Sequence, residues 1–161
     1  MAAEERTGRI DAYIARETIV SAAINGVIGT LFFFGVFGTD ARVTVGGWGG
    51  YAFDFLPQSA AVALMACFVP GLIARHAQRA GRIGTGHDGP ATTRWLLQAA
   101  CVSVLFGLTL GVAVALAWLA SGIAMLDWPI ALAIKIIYGA ALGAWVTRRV
   151  LRRMVRGAPL I

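Results

Sequence analysis

The chain has 161 residues, 58% of them hydrophobic and only 14% charged, with a formal net charge of +6. Soluble domains carry about 25% charged residues, so this composition excludes an ordinary water-soluble globule and points to lipid as the solvent. The cations are nearly all arginines flanking apolar runs, with no nucleic-acid motif among them, a pattern that serves membrane topology rather than nucleic acid.

Residues 1–17 are short and mixed in charge. Ile10, Tyr13 and Ile14 fall at helical spacing, so the segment is expected to be an amphipathic lead-in lying on the membrane surface. The first apolar run, 18–38, exceeds the roughly 7–15-residue core of a cleaved signal peptide and follows an acidic start, which predicts an uncleaved first span. Ser21, Asn25 and Gly29 form a four-residue stripe along it. The following loop, 39–56, brackets Trp48 with glycines that break regular helix. Arg42–Val45 is readable there as a short extended piece. Trp48, Tyr51, Phe53 and Phe55 suit an interfacial aromatic belt or, alternatively, a partner-binding loop.

Pro57 opens the second span, 58–74, in which Pro70 removes a backbone hydrogen bond and predicts either a packing kink or a gating hinge. Residues 75–94 are the most polar loop. Gly84, Gly86 and Gly89 form a literal GxGxxG, but without the strand and βαβ unit that the motif needs it reads as a flexible turn. His76, His87 and Asp88 lack a further ligand at metal-site spacing, so no metal and no cofactor is expected. Cys67 and Cys101 lie inside apolar runs and read as small buried hydrophobes.

The third span, 95–120, carries a GxxxG at Gly107 and Gly111, with Ser103 and Ala115 on the same stripe. A seven-residue link, Ser121 to Asp127, follows. Its brevity predicts that the third and fourth spans are antiparallel neighbours with facing glycine stripes. The fourth span, 129–147, begins with Pro129 after a potential cap, Asp127. Ala131, Lys135, Gly139 and Gly143 share one face, so a second GxxxG and the one intramembrane cation sit together. Beyond it, in the tail 148–161, Arg148, Arg149, Arg152, Arg153 and Arg156 oppose Val150, Leu151, Met154 and Val155, a basic amphipathic end expected to meet anionic lipid headgroups.

These features predict an all-α integral membrane protein, four transmembrane helices in an antiparallel bundle. Twelve arginines fall on one side of such a threading and only Arg42 on the other, which places both termini and the middle loop on the cytoplasmic side. Lys135 is the main candidate site, because a charge in the bilayer costs at least about 2.5–3.5 kcal/mol. Its readings are snorkelling, an ion pair with Asp54, or a place in a substrate or ion site. Asn25 is a second candidate, with interhelical hydrogen bonding as its plainer role, and lies in the opposite half of the bilayer. Gln58 and Gln98 stand near span ends, where an amide needs no special role. No nucleophile–base pair, HExxH or intramembrane carboxylate pair stands at useful spacing, so an enzyme is not expected.

Ile24-Asn25-Gly26, the run Phe53-Asp54-Phe55-Leu56-Pro57-Gln58 and an arginine-rich loop after Pro70 occupy the first half of the chain. In these the chain resembles small four-helix bacterial inner-membrane proteins, some labelled permease-like; the resemblance implies no substrate and no catalytic residue. Two functions are therefore expected: an accessory or assembly subunit docking through small-residue faces on a larger membrane complex, or a small homo-oligomeric transporter or channel with its pathway near Lys135.

Overall fold

A computed structural model of the chain describes residues 2–39, 42–82 and 91–156. Its elements are α1 (Ala2–Phe37), β1 (Arg42–Thr44), α2 (Phe55–Arg79), α3 (Thr93–Ala120), β2 (Met125–Asp127) and α4 (Trp128–Arg156). All four helices are long and apolar enough to cross a membrane. Residues recurring with helical period on faces of small side chains explain how they pack, because in lipid close backbone approach replaces the hydrophobic effect as the driving force.

α1 is one unbroken helix of 36 residues, so the expected surface lead-in is its first part. At about 1.5 Å per residue it is roughly 54 Å long, well beyond the hydrocarbon thickness. Ile10, Tyr13 and Ile14 pack into a core cluster with Val150, Leu151 and Met154 of α4. The apolar side of the lead-in thus packs against that of the last turns of α4. The same cluster includes Ala74 of α2 and Ala99 and Ala100 of α3, bringing one end of every helix together.

α2 and α4 form the middle of the molecule. α1 lies along α4 and α3 along α2, while α3 and α4 barely meet. This overturns the expected α3–α4 pairing. Gly107 and Gly111 instead bring α3 onto α2: a Cβ on Gly107 would stand 2.8 Å from the Ser59 carbonyl oxygen, and one on Gly111 2.9 Å from that of Phe55. The stripe on α4 faces α1 and the start of α2, so the two glycine stripes do not oppose each other.

The link between α3 and α4 is not a simple turn. Gly122 adopts φ +70°, and the chain then runs into β2. There Arg42, Val43 and Thr44 pair antiparallel with Asp127, Leu126 and Met125. The extended piece expected near Arg42 therefore has a partner in the link that the sequence did not reveal. Gly47 and Gly49, at φ +85° and +79°, turn the chain around an exposed Trp48 stacked on Phe53. The chain then returns along β1 through hydrogen bonds from Tyr51 N–H to Thr44 and from Ala52 N–H to Val45.

Candidate functional site: a polar seam inside the helices

Lys135 occupies the middle of α4's small-residue face and is 1% exposed. Its Nζ donates to Asp54 Oδ2 at 2.8 Å. Asp54 sits at the N-cap of α2, but its side chain makes no capping bond and is committed to the lysine. Lys135 Nζ also lies 3.7 Å from the Phe55 ring centroid and 5.0 Å from that of Tyr51. The negative faces of aromatic rings attract a cation where water cannot. Tyr51 is itself fixed by donating to the Ala131 carbonyl at 2.8 Å and by edge-on contacts with Phe33, Phe55 and Trp118. Burial, with the Asp54 charge second, pushes its phenol well above the ordinary range, so it stays a donor.

The cation ends in this pocket, not at the surface. Helical side chains slope toward the N-terminus, which carries Lys135 back to the turn ahead of α2. Ala131 keeps that space open because it projects only a methyl group.

Gln58, one turn after Asp54, is 4% exposed and donates Nε2 to the Lys135 carbonyl at 3.2 Å. Near the start of its span as expected, it is nevertheless buried and bonded, a role its position did not require. Gly139 makes room for it: a Cβ there would lie 3.1 Å from Gln58 Nε2. Gly143 does the same for Asn25, since its Cβ would meet Nδ2 at 2.5 Å. The glycines of α4 therefore accommodate polar side chains from α2 and α1. Asn25 donates to the Ser21 carbonyl at 2.8 Å and Oγ at 3.2 Å. Gln58 lies between Asn25 and Lys135, which the sequence assigned to separate halves. The Oδ1 of Asn25 and Oε1 of Gln58 are buried without a hydrogen-bond partner among the described residues.

Thr147 closes the seam. Its Oγ1 lies 2.7 Å from Ser21 Oγ and donates to the Ala66 carbonyl at 2.9 Å. Ala66 is four residues before Pro70, so its carbonyl is the one that the proline leaves without an N–H donor. A threonine from a neighbouring helix repairs that loss, a known device in lipid. Pro70 is thereby tied to α4, and a packing role accounts for it. Ser59 adds a further link: its hydroxyl donates to the Phe55 carbonyl, leaving its oxygen to accept from Tyr138 at 2.6 Å.

At the arginine-bearing end, Gln78 joins α2 to α4 by donating to the Met154 carbonyl at 3.4 Å, and it accepts from Ala91 N–H at 3.3 Å. Arg148 and Arg149 are exposed, and Arg152 and Arg153 half-buried. The Arg156 side chain lies outside the described residues, as do Gly84, Gly86, Gly89, His87 and Asp88. His76 is exposed at the end of α2. Cys67 is buried, whereas Cys101 faces outward, which corrects its reading as a core residue. Among the described residues, no three of His, Cys, Asp and Glu gather where a metal could be held.

An Asp54–Lys135 pair was among the three readings that the charges allowed, and the structure shows it in place of snorkelling. Gln58, Thr147, Ser21 and Ser59 were not legible, because single polar residues in apolar runs show no partner until helices are placed. Thr147 could have been sought as the donor that Pro70 requires. No protein-family model, curated protein or solved structure matches the chain.

Proposed function

We propose that the chain is a non-enzymatic accessory or assembly subunit of a larger membrane complex. It is threaded as an antiparallel four-helix bundle through a bacterial inner membrane, with both termini cytoplasmic. The orientation is supported by Arg9, Arg16, Arg75, Arg79, Arg82, Arg94 and the α4 arginines, which belong to the helix ends that share one core cluster. The observation that carries the functional reading is the closed Lys135–Asp54 pair, with side chains 1% and 9% exposed. The one intramembrane cation is consumed in holding α2 to α4, and what the molecule offers other molecules is its lateral surface.

That surface is not the glycine faces, which are spent on internal packing. It falls to the outer faces of α1 and α3, where Ile19, Leu31, Leu105 and Leu116 are exposed. Mild-detergent copurification followed by mass measurement of the intact assembly tests this. Defined partners at a fixed ratio are expected; a homo-oligomer alone overturns it.

The second reading, a small oligomeric transporter or channel with Lys135 beside its pathway, is favoured by one observation. Two buried acceptors, Asn25 Oδ1 and Gln58 Oε1, are left over along the seam. Proteoliposome flux compared with that of Lys135→Met/Asp54→Leu decides it, because unchanged flux removes Lys135 from any pathway. The double change is needed because a lone Asp54 in this pocket would destabilise the fold by itself.

A further inference from the structure

Because α3 and α4 barely meet, a lateral groove of about 240 Å³ remains between them. Its walls are Phe106 and Leu110 of α3 and Tyr138, Ala141, Leu142 and Trp145 of α4. Phe106 and Trp145 stack across it with centroids 4.2 Å apart and planes at 19°. The Tyr138 hydroxyl is engaged with Ser59 in the interior, so the ring alone is left to the groove. One turn beyond Trp145, the Arg149 guanidinium lies 5.1 Å from the indole centroid and is exposed. It has no ion pair among the described residues. Neither α3 nor α4 contains an aspartate or glutamate, so nothing on either wall offsets this cation.

We propose that the groove binds one anionic phospholipid, with its phosphate on Arg149 and an acyl chain running past Trp145 toward Tyr138. The order of features along α4 matches such a molecule. The cation stands at the arginine-bearing end, and the apolar lining continues from there toward the middle of the helix. Tyr138 to Trp145 spans about 10 Å at roughly 1.5 Å per residue, enough for the upper part of an acyl chain. Attraction to the Trp145 ring holds the guanidinium at the rim without using its N–H groups, which are left to phosphate oxygens. A second copy of the chain would bring an identical Arg149 to the same rim, where charge repulsion disfavours it.

The test titrates the full chain, purified in mild detergent, with phosphatidylglycerol or phosphatidylcholine of identical acyl chains and counts bound lipid by native mass spectrometry. One phosphatidylglycerol held in preference to phosphatidylcholine is expected. Arg149→Gln should weaken its retention roughly fivefold, the effect of one interfacial cation. Trp145→Leu should weaken retention of both lipids, and Arg42→Gln, at the opposite end, of neither. Phosphatidylglycerol with brominated chains should quench wild-type fluorescence more than that of Trp145→Phe. Equal retention of the two lipids by the wild type, unchanged retention in Arg149→Gln, or a dimer without lipid would each overturn the proposal.

Discussion

At the scale of single residues, the structure is held by polar groups whose partners come from other helices. Removing one member of a buried ion pair leaves an uncompensated charge and costs about 3–5 kcal/mol, whereas replacing both by apolar groups is often neutral. Lys135→Met is therefore expected to be strongly destabilising, and Lys135→Met/Asp54→Leu to recover most of the loss, measured as denaturation in mixed detergent. Equal loss in the double variant would show that the pair is not coupled. A second cycle addresses Pro70. Thr147→Val leaves the Ala66 carbonyl unpaired and should cost about 1 kcal/mol. In a Pro70→Ala background the helix supplies its own N–H, and the same threonine change should cost less, leaving only the loss of its bond with Ser21. If the cost is the same in both backgrounds, Thr147 does not serve the carbonyl that proline frees.

At the scale of elements, glycine positions decide which helices approach. Gly143 is filled by the Asn25 side chain, and Gly139 by Gln58. Gly143→Ala should then destabilise by about 1–3 kcal/mol through overpacking, and Asn25→Ala should restore much of it in the double variant. Gly35, on the same helix as Asn25, has nothing within 4 Å of an added Cβ. Gly35→Ala should be neutral or stabilising by up to about 1 kcal/mol, because alanine is the better helix former. Melting of the three variants side by side separates these outcomes. A Gly143→Ala variant as stable as Gly35→Ala would mean that α1 does not sit against α4 as described. The ribbon is the other decisive element. By pairing with β1, β2 takes the chain across one end of the helices, so a short link does not oblige α3 to lie against α4.

At the scale of the whole molecule, α2 and α4 form a central pair and α1 and α3 flank it. Ser21 and Thr147 oxygens 2.7 Å apart make Ser21→Cys/Thr147→Cys a close pair across α1 and α4. In a background lacking Cys67 and Cys101 it should crosslink under mild oxidation in native membranes. Gly111→Cys/Gly139→Cys, which joins the two glycine stripes, should not. The reverse pattern would restore the α3–α4 arrangement. A reporter fused after Ile161 is expected on the cytoplasmic side, and an exterior signal would reject the threading.

Hydrophobic length and charge are properties of each segment, so the chain alone determined that four stretches suit lipid and that arginines cluster at particular ends of them. The pairing of Lys135 with Asp54 was one of three readings the sequence left open, since a buried charge needs an opposite one and few acids were near; burial excluded snorkelling. Helix neighbours were decided only in three dimensions. Four apolar helices with similar small-residue stripes can pack in several orders at nearly equal cost, since lipid favours none of them. The choice rests on which side chain fits which glycine, and on Thr147 meeting the carbonyl that Pro70 exposes. It also rests on a ribbon between two loops whose residues lie more than eighty positions apart in the chain.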